Sequence, residues 1–138
     1  MKYLPDTNVW SRYTRNRAED LPLRRRVGAH LSQCLFSTIV LAELEYGAEK
    51  RPEVPAFRRR IQDLRMLFPV VFSFDAKSAV KAGWIRAFLA NLKPNALPIG
   101  PHDVLLAGQA LSVGAVFVTA NTTEFLRVPG LQVENWQE

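Results

Sequence analysis

This sequence predicts a three-layer α/β/α fold around a mainly parallel sheet of four to five strands. Three observations carry that expectation. Short apolar runs alternate with amphipathic helical stretches along the whole chain, the pattern of βα units. The first run, Lys2-Tyr3-Leu4-Pro5, stops on Asp6-Thr7-Asn8, and open α/β sheets bind ligands just beyond the carboxyl ends of their strands. No repeat, low-complexity tract or linker interrupts the 138 residues, so a single domain over 1–138 is expected.

The elements follow in order. Asn8 to about Arg17 reads as a helix with Val9, Trp10 and Tyr13 on one face. Leu21 to Leu31 reads as a second, with Pro22 near its start and Leu23, Val27 and Leu31 at four-residue spacing. Cys34-Leu35-Phe36-Ser37 is a short apolar strand, after which Thr38 is the expected cap of a helix to about Lys50. Phe57, Ile61, Leu64 and Phe68 mark an amphipathic helix, and Val70-Val71-Phe72 a third strand. Asp75 caps a long helix expected to turn Val80, Trp84, Ala87 and Phe88 inward. Lys93 to Gly100 is a loop, and Pro101 opens a helix at a position where its missing N–H costs nothing. Gly114 ends that helix, Ala115 to Thr119 is a fourth strand, and Leu131 to Trp136 adds an edge strand.

Composition narrows the function. At 48% hydrophobic and 10% aromatic the chain can build a core. No apolar run approaches the ~18 residues of a membrane span, and Asp6 and Asn8 interrupt any signal-peptide pattern. Cys34 is the sole cysteine, beside only His30 and His102, which argues against a disulfide or a Cys/His zinc site. A cytoplasmic location is the expectation. The net charge of +5, with 13 Arg among 18 basic residues, suits a polyanionic partner such as RNA. The runs Arg24-Arg25-Arg26 and Arg58-Arg59-Arg60 are candidate RNA contacts, or simply solvated helix faces.

Three acids fall where chemistry would need them. Asp6 ends a strand, Asp103 lies in the first turn of a helix, and Glu43 projects from another helix among small and apolar residues. Mg²⁺ takes hard oxygen ligands, keeps several waters and is held by one or two carboxylates plus phosphate. The expected site gathers Asp6, Glu43 and Asp103 around Mg²⁺, with Mn²⁺ as a substitute, to activate a water against phosphorus. Asn121, following the fourth strand as Asp6 follows the first, would hold a metal-bound water. Each residue also has a plainer role: Asp6-Thr7-Asn8 and Asn121 are favoured cap types, the helix dipole favours Asp103 wherever it acts, and Glu43 suits a solvated helix. His102 sits outside the expected catalytic set.

The same residues carry a resemblance. Leu4-Pro5-Asp6-Thr7-Asn8 with Ser11, the run Ser37 to Lys50, Pro98 to Asp103, Val118 to Phe125, and the closing Arg127-Val128-Pro129-Gly130-Leu131 with Glu134-Asn135-Trp136 resemble the PIN-domain ribonucleases. Over nearly the whole chain the pattern is that of VapC toxins, and of the branch that cuts initiator tRNA. The resemblance implies Asp6, Glu43 and Asp103 as metal-binding acids, with Asn121 where many members carry a fourth acid and Thr7, Asn8 and Thr119 in support. It also implies an RNA substrate, with tRNA the narrower choice, a homodimer and a VapB-type antitoxin, for which Trp10, Tyr13 and Leu23 would suit a groove. Two other classes stand beside this one. A haloacid-dehalogenase-type phosphatase would use Asp6 as nucleophile, though Asn8 replaces its second acid. A non-catalytic module would bind RNA or antitoxin without cleaving.

Overall fold

A computed structural model describes residues 1–92 and 100–137. The expected loop from Lys93 therefore lies outside the described residues as far as Ile99. The elements are β1 (Tyr3–Pro5), α1 (Thr7–Arg15), α2 (Leu21–Ala29), α3 (Thr38–Lys50), α4 (Pro55–Leu67), α5 (Ala76–Ala90), α6 (Pro101–Val113), β2 (Val116–Val118), α7 (Thr122–Phe125) and β3 (Val133–Glu134). Among the described residues no helix is long and apolar enough to cross a membrane.

The sheet is parallel, in the order β1-β2-β3, with Pro5 opposite Val118 and Val118 opposite Glu134. Helices flank it, as expected, but it has three strands rather than four or five. The two missing strands survive as single parallel bridges, Tyr3 to Cys34 and Ser37 to Phe72. Pro5 explains the first reduction. Leu35 N–H donates to Tyr3 O at 2.8 Å, and the next bond of a parallel ladder would need a donor at Pro5, which has none. Ser37 limits the second, because it turns at once into α3. Its hydroxyl accepts from Ile39 N–H at 3.0 Å, so Ser37, not Thr38, is the cap. Thr38 Oγ1 instead accepts from Phe74 N–H at 3.1 Å. A fully buried side chain does part of the work of the missing ladder: Gln109 Nε2 donates to Phe72 O at 3.0 Å, and its Oε1 accepts from the Ser37 hydroxyl.

The core lies on both faces of this sheet. Leu4, Val116, Phe117 and Val118 are buried from the strands, and Val9, Trp10, Leu23, Val27, Leu64, Ile85 and Leu106 from the helices. Trp10 and Leu23 are thus core residues, 0% and 1% exposed, and line no antitoxin groove. The inward face of α5 also differs from expectation. Ser78, Ala82, Ile85 and Leu89 are buried there, whereas Val80 is 70% and Trp84 45% exposed. The reason is a close approach of two helices. A Cβ on Gly108 of α6 would stand 2.5 Å from the backbone N and Cα of Ala82, so only small side chains fit where these two residues meet, and Val80 and Trp84 turn outward.

Gly108→Ala is accordingly expected to destabilise the protein by about 1–3 kcal/mol, the usual cost of overpacking a close contact. Thermal melting measures this. A variant melting with the wild type would show that α5 and α6 separate without penalty.

Candidate metal-dependent active site

β1 and β2 run parallel and end together, so the residues that follow them meet. Asp6 N–H continues the ladder to Val118 O at 2.9 Å. Its side chain, 6% exposed, caps α1 by accepting from Val9 N–H at 3.0 Å. The Thr119 hydroxyl, buried at the end of β2, donates to the same carboxylate and accepts from Asn121 N–H at 3.1 Å. Asp6 is therefore both a cap and a cleft residue, and the two readings of its sequence context are compatible.

The other two acids arrive on helices. Asp103 lies in the first turn of α6, after Gly100 and Pro101. Glu43 projects from α3, with its side chain 27% exposed. Thr7 Oγ1 donates to Glu43 Oε1 at 2.5 Å, and His102 Nδ1 lies 3.3 Å from Oε2. Asp6, Thr7, Asn8, Ser11, Glu43, Asp103, Thr119, Ala120 and Asn121 line one open cleft of about 430 Å³. Asn121 precedes α7 without capping it through its side chain, so a purely capping role does not account for it.

The electrostatics are one-sided. Burial, then the charges of Asp6 and Glu43, push the Asp103 carboxyl up to about 6, against a partial offset from His102. Burial also raises Asp6, and Glu43 adds to it, although Val9, Thr119 and Asn8 oppose the shift with hydrogen bonds. Among the described residues the lining holds three carboxylates and no Lys or Arg. Among the described residues no group of three or more His, Cys, Asp and Glu is arranged to hold an ion by itself. A hard divalent cation needs only one or two protein carboxylates and completes its shell with water and phosphate. Like charges that nothing neutralises would hold one another apart.

The basic run of α2 does not reach this cleft. Arg24 donates to Tyr13 O and lies over its ring at 4.9 Å, while Arg26 donates to Asn135 O at 3.3 Å and lies 5.8 Å from the Trp136 ring centroid. Both brace the fold, and Arg25 alone of the three is exposed. The contact that sequence reasoning missed is His102 to Glu43. Its only sequence signal is adjacency to Asp103, which does not reveal that α3 passes within reach.

A parallel sheet with Asp6 at the end of one strand and two helix-borne acids beside it defines an α/β fold with an acidic cleft, and comparison with known proteins identifies the family. The PIN domain family model matches residues 3–131, and the chain belongs to that family. It is 37% identical to tRNA(fMet)-specific endonuclease VapC of Salmonella typhimurium over 99% of this chain and 98% of that protein. Identity to ribonuclease VapC2 of Rickettsia felis is 30% over the full length of both. Among solved structures, DNA-bound VapBC from Salmonella typhimurium matches with a TM-score of 0.77 at 36% identity, covering 99% of this chain and 98% of that one. VapBC2 from Rickettsia felis, bound to a DNA fragment from their promoter, matches with 0.80 at 27% identity and 99% coverage of both. Within the PIN domains, these relatives place the chain among the VapC proteins, which sets the phosphatase reading aside.

The acid cluster has a consequence for stability. The folded Asp103 keeps its proton up to about pH 6, while the unfolded chain releases it near the ordinary value of 3.8. Between those values the folded state binds more protons, so rising pH removes stability. In EDTA the wild type is expected to lose melting temperature from about pH 4 to 6, and Asp103→Asn to lose less and melt higher at pH 7. If the variant melts below the wild type at pH 7, Asp103 is not under strain from its neighbours.

Proposed function

We propose that this chain is the toxin of a VapBC-type pair, an endoribonuclease that hydrolyses phosphodiester bonds in RNA, with tRNA as its substrate class and Mg²⁺ as its cofactor. The observation that carries the reading is a contrast of charge. The whole chain is +5 and attracts a polyanion, yet among the described residues the cleft lining holds three carboxylates and no Lys or Arg. An RNA phosphate would be repelled from that cleft unless a cation stood between.

Asp6 and Asp103 would hold the ion directly, and Glu43 would hold it or a water on it. When bound, the ion supplies Lewis acidity and lowers the pKa of an attached water. The chain's own residues orient the ligands. Val9 N–H and the Thr119 hydroxyl fix Asp6, and Thr7 fixes one Glu43 oxygen. Asn121, at the cleft wall beside Thr119, offers an amide to a water or a phosphate oxygen.

The partner assignments are supported by relatives solved as VapBC complexes. A groove of about 340 Å³ between α1, α3 and α4 shares Thr7, Ser11 and Glu43 with the cleft and continues over Leu44, Phe57 and Ile61. An antitoxin segment seated there would cover the cleft mouth. The exposed Val80 and Trp84 of α5 would offer an apolar face to a homodimer contact.

Purified protein is expected to cleave tRNA with Mg²⁺ or Mn²⁺, to lose cleavage in EDTA, and to lose it in Asp6→Asn. Primer extension across the products reads the cut. Undiminished cleavage in EDTA would contradict the cation mechanism. RNA binding without cleavage under every metal condition would favour the non-catalytic module.

A further inference from the structure

His102 has no part in the function proposed above, yet it is built into the same geometry. It is the second residue of α6, between Pro101 at the helix start and Asp103. Its Nδ1 lies 3.3 Å from Glu43 Oε2. The other oxygen of that carboxylate accepts from Thr7 Oγ1 at 2.5 Å. Glu43 is thus borne on α3 but met from two sides, by a hydrogen bond from the first residue of α1 and by the imidazole in the first turn of α6. An ionised carboxylate offers only lone pairs, so His102 can hold it only through a hydrogen on the facing Nδ1. Without one of these contacts a glutamate side chain turns freely about its terminal bonds.

We infer that His102 is a positioning residue: its Nδ1–H holds the Glu43 carboxylate in the orientation that serves the cation cleft. On this assignment α6 delivers both the Asp103 carboxylate and the brace for Glu43, so the two acids are set relative to each other by one rigid element. The assignment rests on the cation-cleft reading proposed above. The competing account is a surface ion pair of little consequence, since the imidazole side chain is 56% exposed and exposed pairs contribute little. Groups that orient metal-binding side chains behave differently: their loss weakens metal binding about 10- to 100-fold.

The test uses the full-length chain and Mn²⁺ alone, titrated calorimetrically without RNA, for wild type, His102→Ala and His102→Asn. The asparagine amide nitrogen stands close to where Nδ1 stands, so that variant keeps the donor and loses the rest of the ring. His102→Ala is expected to weaken Mn²⁺ binding by roughly 10-fold, and His102→Asn to restore it to within about 2-fold of wild type, as a retained orienting bond requires. Melting in EDTA should be the same in all three, because the side chain is exposed. RNA cleavage by His102→Ala should need more Mn²⁺ while KM for RNA is unchanged. Equal Mn²⁺ binding by wild type and His102→Ala overturns the assignment and leaves the cation cleft standing, as does a His102→Asn variant no better than His102→Ala. A wild type that binds no Mn²⁺ overturns the cation cleft itself, and this assignment with it.

Discussion

The hydrogen-bonded end of two short parallel strands is the constraint from which the site follows. β1 and β2 are three residues each, and their register places Asp6 beside Thr119. The Thr119 hydroxyl then does two things at once, donating to the Asp6 carboxylate and accepting from Asn121 N–H. Shifting either strand by one residue would turn its buried side chains to the opposite face and carry Asp6 out of the cleft. Burial of Leu4, Phe117 and Val118 therefore fixes the position of the acid, and the core and the chemistry are not separable here.

Much of this was legible. An apolar run ending on a carboxylate marks Asp6, and Pro101 and Gly114 bound α6 by the backbone rules they impose: Pro at the first helical position, and Gly at φ +69°, where other residues are strained. What was not legible depends on neighbours that periodicity does not see. The outward turn of Val80 and Trp84 follows from the approach of Ala82 to Gly108, a fact about two helices and not about one. The loss of strand pairing at Cys34 follows from a proline thirty residues away. Arg24 and Arg26 look like an RNA patch in sequence, and periodicity does not reveal that the rings of Tyr13 and Trp136 lie under them.

α6 concentrates three constraints in one helix. Its first turn carries His102 and Asp103, its middle carries Gly108 against α5, and Gln109 ties it to Ser37 and Phe72. Ser37 caps α3, the helix that bears Glu43. The buried amide of Gln109 thus links the two helices that supply acids, at the level of the sheet, while His102 links them at the cleft. Placing the acids on elements locked at both levels matches the requirement that such groups be held in position before a cation or substrate arrives.

Asp103, in the first turn of α6, shows which forces act in the cleft. A carboxylate in a first turn is stabilised by about 0.3–1 kcal/mol, which acting alone would hold Asp103 below its ordinary value of 3.8. Instead it stands at about 6. Burial and two neighbouring negative charges therefore outweigh the opposing influence of His102. A fold selected only for stability would replace one of these acids with an amide. All three acids are in place in a chain that is basic overall, and a cation of the kind the proposed reaction requires would relieve their repulsion.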